Sequence, residues 1–144
     1  MPGKVVLLGG GGFVGRCIAS RLSGRGFNVT VPTRRRNNRK ELAMLPGVCL
    51  VAANIHDPLE LEDLFVGADA VINLVGILHD SDSSQPYGRR FAAAHVELPR
   101  KIVAAMQRAG VRRLLHMSAL KAASDAPSCY LRSKAAGEAL VVGA

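Results

Sequence analysis

The chain has 144 residues, of which 49% are hydrophobic and 21% charged, and its formal net charge at pH 7 is +8. That length predicts one domain, large enough to bury about two-thirds of its unfolded surface. No apolar run reaches the roughly 18 residues that a membrane-spanning helix needs, and no signal peptide is expected. An odd number of scattered cysteines favours reduced thiols and a cytoplasmic location over disulfides or a metal site: Cys17, Cys49 and Cys129.

The most informative segment lies near the start of the chain, where the apolar run Lys4 to Leu8 leads into a series of glycines that fit G-x-x-G-x-x-G. A glycine turn between a strand and a helix lets the backbone approach a pyrophosphate, and the helix N-terminus directs free N–H groups at the anion. The alternative is a flexible glycine loop that binds no ligand. The candidate contacts in this turn and in the first turn of the helix are Gly9, Gly12, Phe13, Val14 and Gly15.

Apolar runs and helical patterns alternate along the rest of the chain, which predicts a parallel sheet covered by helices on both faces. Strands are expected at Lys4–Leu8, Phe27–Val31, Val48–Ala52, Ala70–Val75 and Arg112–Met117, with Pro32 ending the second. After the helix that follows the glycines, helices are expected at Arg39–Leu45, Asp57–Phe65, Arg89–Ala109 and from about Ser128, with Pro99 producing a kink or break. Right-handed crossovers then give a Rossmann-type, doubly wound α/β sheet of strand order 3-2-1-4-5, with a ligand cleft between strands 1 and 4.

The carboxyl ends of these strands meet at the cleft, so the residues there are candidate cofactor contacts: Thr33, Arg34, Asn54, Ile55, Val75 and Gly76. In the dinucleotide-binding pattern an acidic residue at the end of the second strand binds the ribose 2′-hydroxyl. Here Arg34 stands in that region, and a guanidinium suits a 2′-phosphate. NADP(H) is therefore expected in preference to NAD(H). The alternative is that Arg34 to Arg36 form a solvated turn.

A candidate catalytic pair follows later in the chain. Tyr130 and Lys134 are four residues apart and hence share one face of a helix. A cation beside a phenol helps it to exchange a proton with a substrate, and the same cation can hold the nicotinamide ribose. Ser118, at the end of the fifth strand, is a candidate for polarising a substrate oxygen. The alternatives are a chance Y-x-x-x-K match and a strand-end serine that bonds its own backbone.

The basic residues and the histidines give weaker indications. Five basic residues lie close together, which favours an anionic partner or a solvated loop: Arg34, Arg35, Arg36, Arg39 and Lys40. No aromatic residue interrupts this run, so nucleic acid is not an expected partner. The four histidines lack metal-ligand spacing, so no metal site is expected, and of the four His79 falls nearest the mouth of the cleft.

Three segments together resemble the short-chain dehydrogenase/reductase superfamily on its extended or atypical side: Gly9 to Gly15, Val71 to Gly76 and Tyr130 to Glu138. Within that superfamily they are similar to NAD-dependent epimerase/dehydratase proteins, in the branch of the NADPH-carrying accessory subunit of respiratory complex I and its bacterial relatives.

The resemblance implies a cofactor over the glycine turn, with its 2′-phosphate at Arg34 and its adenine near Asn54 and Ile55. It also implies a nicotinamide ribose near Tyr130 and Lys134. Proteins of this type are about twice as long, so residues 1–144 are expected to be the nucleotide-binding, N-terminal portion of a longer protein that binds its substrate elsewhere.

Two functions are compatible with these observations. The first is an NADP-preferring oxidoreductase or epimerase-type enzyme for an unknown small molecule, using Tyr130, Lys134 and Ser118. The second is a non-catalytic NADP(H)-binding module of a membrane-associated protein complex, located in the cytoplasm or peripherally at the inner membrane.

Overall fold

The computed structural model describes residues 2–34 and 39–144. Its strands are β1 (Lys4–Leu8), β2 (Asn28–Thr33), β3 (Val48–Ala52), β4 (Ala70–Asn73) and β5 (Leu114–His116). Its helices are α1 (Phe13–Gly24), α2 (Lys40–Ala43), α3 (Pro58–Phe65), α4 (Arg89–Ala92), α5 (Leu98–Ala109) and α6 (Cys129–Val142). A π-helical turn, Ala93–Glu97, joins α4 to α5. The alternation of strands and helices is that expected from the sequence.

The five strands form one parallel sheet in the order β3-β2-β1-β4-β5. The first strand lies at its centre and pairs with β2 through Val6↔Thr30 and with β4 through Leu8↔Asn73. The chain reverses its direction of winding at β1, which places a crevice at the carboxyl ends of β1 and β4. The predicted Rossmann-type fold and its strand order are confirmed.

Side chains of the central strand alternate between the two faces of the sheet, and each face has its own apolar core. Val6 and Leu8 pack with residues of α3 and α5, including Phe65 and Ile102. On the opposite face Val5, Leu7, Ala19, Val29 and Leu42 form the second cluster, which joins α1 and α2 to the sheet. A parallel sheet buried on both faces explains why the strands read as continuous apolar runs.

The observed second strand begins one residue later than predicted and continues through Pro32 to Thr33. Proline is tolerated there because the pairing of β1 with β2 ends at Val6↔Thr30, so no strand hydrogen bond to β1 is lost at Pro32. On its other side β2 pairs with β3 as far as Thr33↔Ala52.

The fourth and fifth strands are shorter than predicted. After Asn73 the chain turns, because the Asn73 side-chain Oδ1 accepts a hydrogen bond from the backbone N–H of Val75 at 3.1 Å. Strand β5 spans only Leu114–His116, the three residues that pair with β4.

Pro99 neither ends the long helix nor begins a separate one. Residues 89–109 stay helical, and the chain accommodates the proline by a wider, π-helical turn that ends two residues before it. Proline lacks the N–H that would bond the carbonyl of His95 four residues earlier, and its ring crowds that carbonyl, so a wider turn relieves both effects.

Candidate functional site

The glycine turn joins β1 to α1 at the centre of the sheet edge. Gly9 has φ = 79°, a left-handed conformation that suits glycine, and its carbonyl accepts a hydrogen bond from the Gly12 N–H at 3.3 Å. A Cβ on Gly15 would lie 2.5 Å from the Gly10 Cα, so the helix packs directly on the turn. Gly12 precedes α1 without any side-chain cap, which leaves the N-terminal N–H groups of the helix available to an anion.

A cavity of about 230 Å³ lies in front of this turn. Six of the predicted cofactor contacts line it: Gly9, Gly12, Thr33, Arg34, Ile55 and Val75. None of the described residues in its lining is acidic, whereas two arginines, Arg34 and Arg39, are present. The cavity therefore has a glycine-rich floor and a positively charged wall.

Asn54, another predicted contact, holds the guanidinium of Arg34 in place. Its Oδ1 accepts hydrogen bonds from Arg34 Nη2 at 3.1 Å and from the His56 backbone N–H at 3.0 Å. The backbone N–H of Asn54 donates to Glu60 Oε2 at 3.2 Å. Asn54 is thus a second layer behind the cavity wall, rather than a residue of the lining itself.

Several residues of the lining were missing from the sequence-based set of contacts, and two of them, Arg39 and His56, have basic side chains. Arg39 lies over the glycine turn, since a Cβ on Gly11 would be 2.3 Å from its Nε. Arg39 belongs to the run of basic residues found in the sequence, and that run was the signal that could have predicted its contact. Arg35 and Arg36 of the same run lie outside the described residues. His56 is the second, and burial together with the charges of Arg34 and Lys101 lowers its pKa.

The remaining predicted contacts lie around the cavity. Phe13 and Val14 are on the first turn of α1 and are 78% and 43% exposed. Gly76 lies farther along the cleft, where a Cβ would be 3.9 Å from Lys134 Nζ.

The predicted catalytic pair lies on α6, whose first turn is capped by the Ser128 side chain. Lys134 is only 4% exposed and donates from Nζ to the Met117 carbonyl at 2.8 Å, and its burial lowers its pKa. The Tyr130 ring packs edge-on against Phe91, with centroids 6.0 Å apart. Tyr130 therefore contacts α4, which follows β4, and Lys134 contacts the residue directly after β5.

Ser118 is also brought to this helix. Its Oγ donates to Glu138 Oε2 at 2.5 Å, so the hydroxyl proton is directed at a carboxylate. In this arrangement Ser118 offers a lone pair, and a substrate oxygen would have to compete with Glu138 for its proton.

A buried histidine that sequence reasoning did not single out lies beside the pair. His95 is 2% exposed, and its ring centroid lies 5.5 Å from that of Tyr130. Burial, followed by the charges of Lys134 and His116, lowers the pKa of His95 to about 4. No spacing in the sequence predicts that His95 lies beside Tyr130, because the two residues meet only through the packing of two helical segments.

Within residues 2–34 and 39–144, no group of three His, Cys, Asp or Glu side chains is arranged to hold a metal ion. The same part of the chain contains no helix with the length and hydropathy needed to cross a bilayer.

The curated proteins that the chain matches include two relatives of low identity. The chain is 26% identical over 138 residues to the mitochondrial NADH-ubiquinone oxidoreductase 40 kDa subunit of Neurospora crassa, covering 94% of this chain and 36% of that protein. It is 29% identical over 138 residues to the mitochondrial NADH dehydrogenase (ubiquinone) 1 alpha subcomplex subunit 9 of Dictyostelium discoideum, covering 93% and 37%. The chain thus spans little more than a third of the length of these relatives.

Solved structures share the fold at lower identity. Pen from Bacillus thuringiensis superposes with a TM-score of 0.83 at 18% identity, over 98% of this chain and 44% of that one. The Bordetella bronchiseptica enzyme WbmG, solved in complex with NAD, gives a TM-score of 0.76 at 21% identity, over 100% and 50%. The model of the NAD dependent epimerase/dehydratase family matches residues 5–143. With its parallel sheet and glycine turn, the chain therefore belongs to the NAD dependent epimerase/dehydratase family.

Proposed function

We propose that this chain is the nucleotide-binding portion of a longer, NADP(H)-preferring protein of the epimerase/dehydratase family. The observation that carries the proposal is the cavity at the glycine turn, whose described lining contains Arg34 and Arg39 and no carboxylate. A ribose 2′-phosphate is repelled by an acid and bound well by a guanidinium. The residues present therefore fit NADP(H), with NAD(H) as the weaker ligand.

The geometry supports one orientation of the dinucleotide. The N-terminus of α1, whose N–H groups have no side-chain cap, would hold the pyrophosphate. Arg34, fixed by its hydrogen bond to Asn54, would hold the 2′-phosphate, and Ile55 would contact the adenine. Val75, Gly76 and Lys134 would contact the nicotinamide end.

At that end, residues of this chain would transfer a proton and bind the nicotinamide ribose. When bound, the nicotinamide supplies or accepts a hydride. Tyr130 would give a proton to, or take one from, the substrate oxygen, and Lys134 would hold the ribose. Ser118 contributes only if a substrate draws its proton away from Glu138.

The test of cofactor choice is a binding titration of NADPH and NADH on the 144-residue chain and on Arg34→Gln. We expect NADPH to bind more tightly, and the substitution to weaken NADPH by about tenfold or more while changing NADH little, as expected for loss of a charge-assisted bond. Arg108→Gln is the matched control, since Arg108 pairs with Glu62 at 3.8 Å on the face formed by α3 and α5. Equal losses for both cofactors would contradict the assignment of Arg34.

A second candidate function is a non-catalytic NADP(H)-binding module in a membrane-associated complex, peripheral to the inner membrane. The observation that favours it is that both curated relatives reported above are named as subunits of NADH dehydrogenases. Tyr130→Phe in the full-length protein separates the two functions. It abolishes turnover if the protein is an enzyme, and leaves cofactor affinity and assembly unchanged if the cofactor is structural.

A further inference from the structure

Both ring nitrogens of His95 are engaged in hydrogen bonds of fixed direction. The backbone N–H of Ile77 lies 3.0 Å from Nε2 and can only donate, so Nε2 is the unprotonated nitrogen. The proton of the neutral ring is then on Nδ1, which lies 2.8 Å from Ser133 Oγ. Ser133 in turn donates to the Tyr130 carbonyl at 2.7 Å. One chain of hydrogen bonds therefore runs from Ile77 through the imidazole to the backbone of Tyr130.

The two ends of this chain belong to different parts of the candidate site. Ile77 follows Gly76 directly, and a Cβ on Gly76 would lie 3.5 Å from His95 Nε2 and 3.9 Å from Lys134 Nζ. At the other end the ring of Tyr130 stands edge-on to the imidazole, at an interplanar angle of 84°. His95 thus contacts the Gly76–Ile77 segment after β4 and also the helix that carries the catalytic pair.

The backbone around His95 is shaped to bring α6 this close. His95 lies in the π-helical turn before Pro99, which has no N–H for the His95 carbonyl. That carbonyl faces Gly137 of α6, where a Cβ would lie 2.0 Å from its oxygen. The side chain and the carbonyl of one residue therefore both meet α6.

We propose that His95 is a positioning residue, whose neutral imidazole links the Gly76–Ile77 segment to α6 and so fixes Tyr130 and Lys134 relative to the nicotinamide end of the cofactor. This inference rests on the proposed function for the identity of the ligand. Its structural part, the link between the Gly76–Ile77 segment and α6, does not depend on a ligand and is tested first.

Three variants of the 144-residue chain separate positioning from simple packing. His95→Leu keeps apolar volume and removes both hydrogen bonds. His95→Gln keeps an acceptor at the Nε2 position and removes the donor to Ser133. Ser133→Ala breaks the link next to Tyr130 and changes little volume. Its matched control is Ser23→Ala, because Ser23 is also buried and donates from Oγ to the Pro46 carbonyl at 2.6 Å, on a different helix.

The first measurement is NMR of the ligand-free variants, observing the Tyr130 ring and the ε-methylene of Lys134. We expect both sets of signals to shift in Ser133→Ala and His95→Leu, and to remain in place in Ser23→Ala. If Ser133→Ala leaves them where Ser23→Ala does, the positioning role is wrong, even if His95→Leu proves too unstable to study.

The second measurement compares the affinity for NADP⁺ with that for 2′-phospho-ADP-ribose, which lacks nicotinamide. Loss of positioning should weaken the affinity for NADP⁺ by about tenfold, roughly one hydrogen bond's net contribution. The affinity for 2′-phospho-ADP-ribose should not change. Rescue of NADP⁺ affinity in His95→Gln relative to His95→Leu supports the Nε2 contact to Ile77. Equal weakening of both ligands overturns the proposal. If the wild type binds neither ligand, the proposed cofactor function fails, and the NMR result still decides the role of His95.

Discussion

Burial of the charged lysine of the candidate pair lowers the stability of the fold. Lys134 is 4% exposed, and in the described part of the chain the acceptor recorded for its ammonium is the Met117 carbonyl. Burial lowers the pKa of Lys134, which means that the folded protein disfavours the charge that the unfolded chain carries freely. A buried group with a shifted pKa beside a cleft is a candidate for a functional role.

Replacement of Lys134 by Met should therefore separate stability from binding. We expect Lys134→Met to keep or raise the melting temperature, because a buried charge is removed, and to weaken NADPH by about tenfold or more through the loss of a charge-assisted contact. Thermal unfolding and a binding titration measure the two effects. Lys4→Met is the control, since Lys4 Nζ also donates to a backbone carbonyl, that of Val66 at 2.9 Å, but lies at the opposite end of β1. A clear loss of stability in Lys134→Met alone would contradict this reasoning.

A second consequence at the residue scale is a dependence of stability on pH through His95. Its pKa falls from 6.5 to about 4 on folding. Between these values the unfolded chain binds a proton that the folded chain does not, so the free energy of unfolding decreases as the pH falls. For one proton the slope is at most about 1.4 kcal/mol per pH unit.

Urea unfolding at about pH 7.0, 5.5 and 4.5, of which the last two lie between the unfolded and folded pKa values of His95, tests the dependence in the wild type and in His95→Gln. The wild type should lose more stability than the variant as the pH decreases. The pKa of His116 is also lowered by burial, but that contribution is common to both proteins and cancels in the difference. Parallel losses in the two proteins would show that His95 does not titrate as described.

At the scale of elements, the packing of α6 on the π-helical turn determines where the candidate catalytic side chains lie. Alanine in place of glycine inside a helix ordinarily stabilises by about 1 kcal/mol. At Gly137 the added Cβ would lie 2.0 Å from the His95 carbonyl oxygen, a contact that cannot exist without moving the helix.

Gly137→Ala should therefore destabilise the protein by about 1–3 kcal/mol, the range for overpacking, in a chemical unfolding experiment. Gly24→Ala is the matched control, because Gly24 is also helical and an added Cβ there would have no neighbour within 4 Å. We expect this control to be neutral or slightly stabilising. A change in the free energy of unfolding with the same sign in both variants would rule out a close helix contact at Gly137.

Local signals predicted some elements better than others. The start of α3 was predictable because Asp57 caps it within two residues, its Oδ1 accepting from the Leu59 N–H at 2.9 Å. The start of α4 was predicted at the residue where it is observed, Arg89, but its cap is not local: Gly88 offers no side-chain cap, and Asp82, seven residues away, accepts from the Arg89 N–H at 3.0 Å. The π-helical turn before Pro99 likewise gives no local sequence signal, since the same proline could equally end or kink a helix.

At the scale of the whole molecule, cofactor binding should appear as a change in global stability. A ligand that binds only the folded chain at about 100 times its dissociation constant adds roughly 2.7 kcal/mol. For a domain of this size we expect NADPH to raise the melting temperature by about 5 to 10 °C, and NADH by less. Differential scanning calorimetry with each cofactor measures this difference. An equal shift would contradict the preference for NADP(H), and no shift with either would contradict cofactor binding.

The amino-acid sequence by itself determined the parallel sheet, its strand order and the glycine turn. Those features rest on short-range periodicity, on glycine at fixed spacing and on the handedness of crossovers, all of which are readable without tertiary contacts. The sequence also placed Arg34 at the end of β2, since a strand end is a local feature.

Only the tertiary structure decided how the site is supported. It placed Arg39 over the glycine turn, made Asn54 a support for Arg34, directed the proton of Ser118 to Glu138, and brought His95 between β4 and α6. Each of these contacts joins residues that are far apart along the chain, through side-chain rotamers and helix positions set by packing. Spacing in a sequence reports which face of an element a residue occupies, whereas the partner it meets there depends on how the elements assemble.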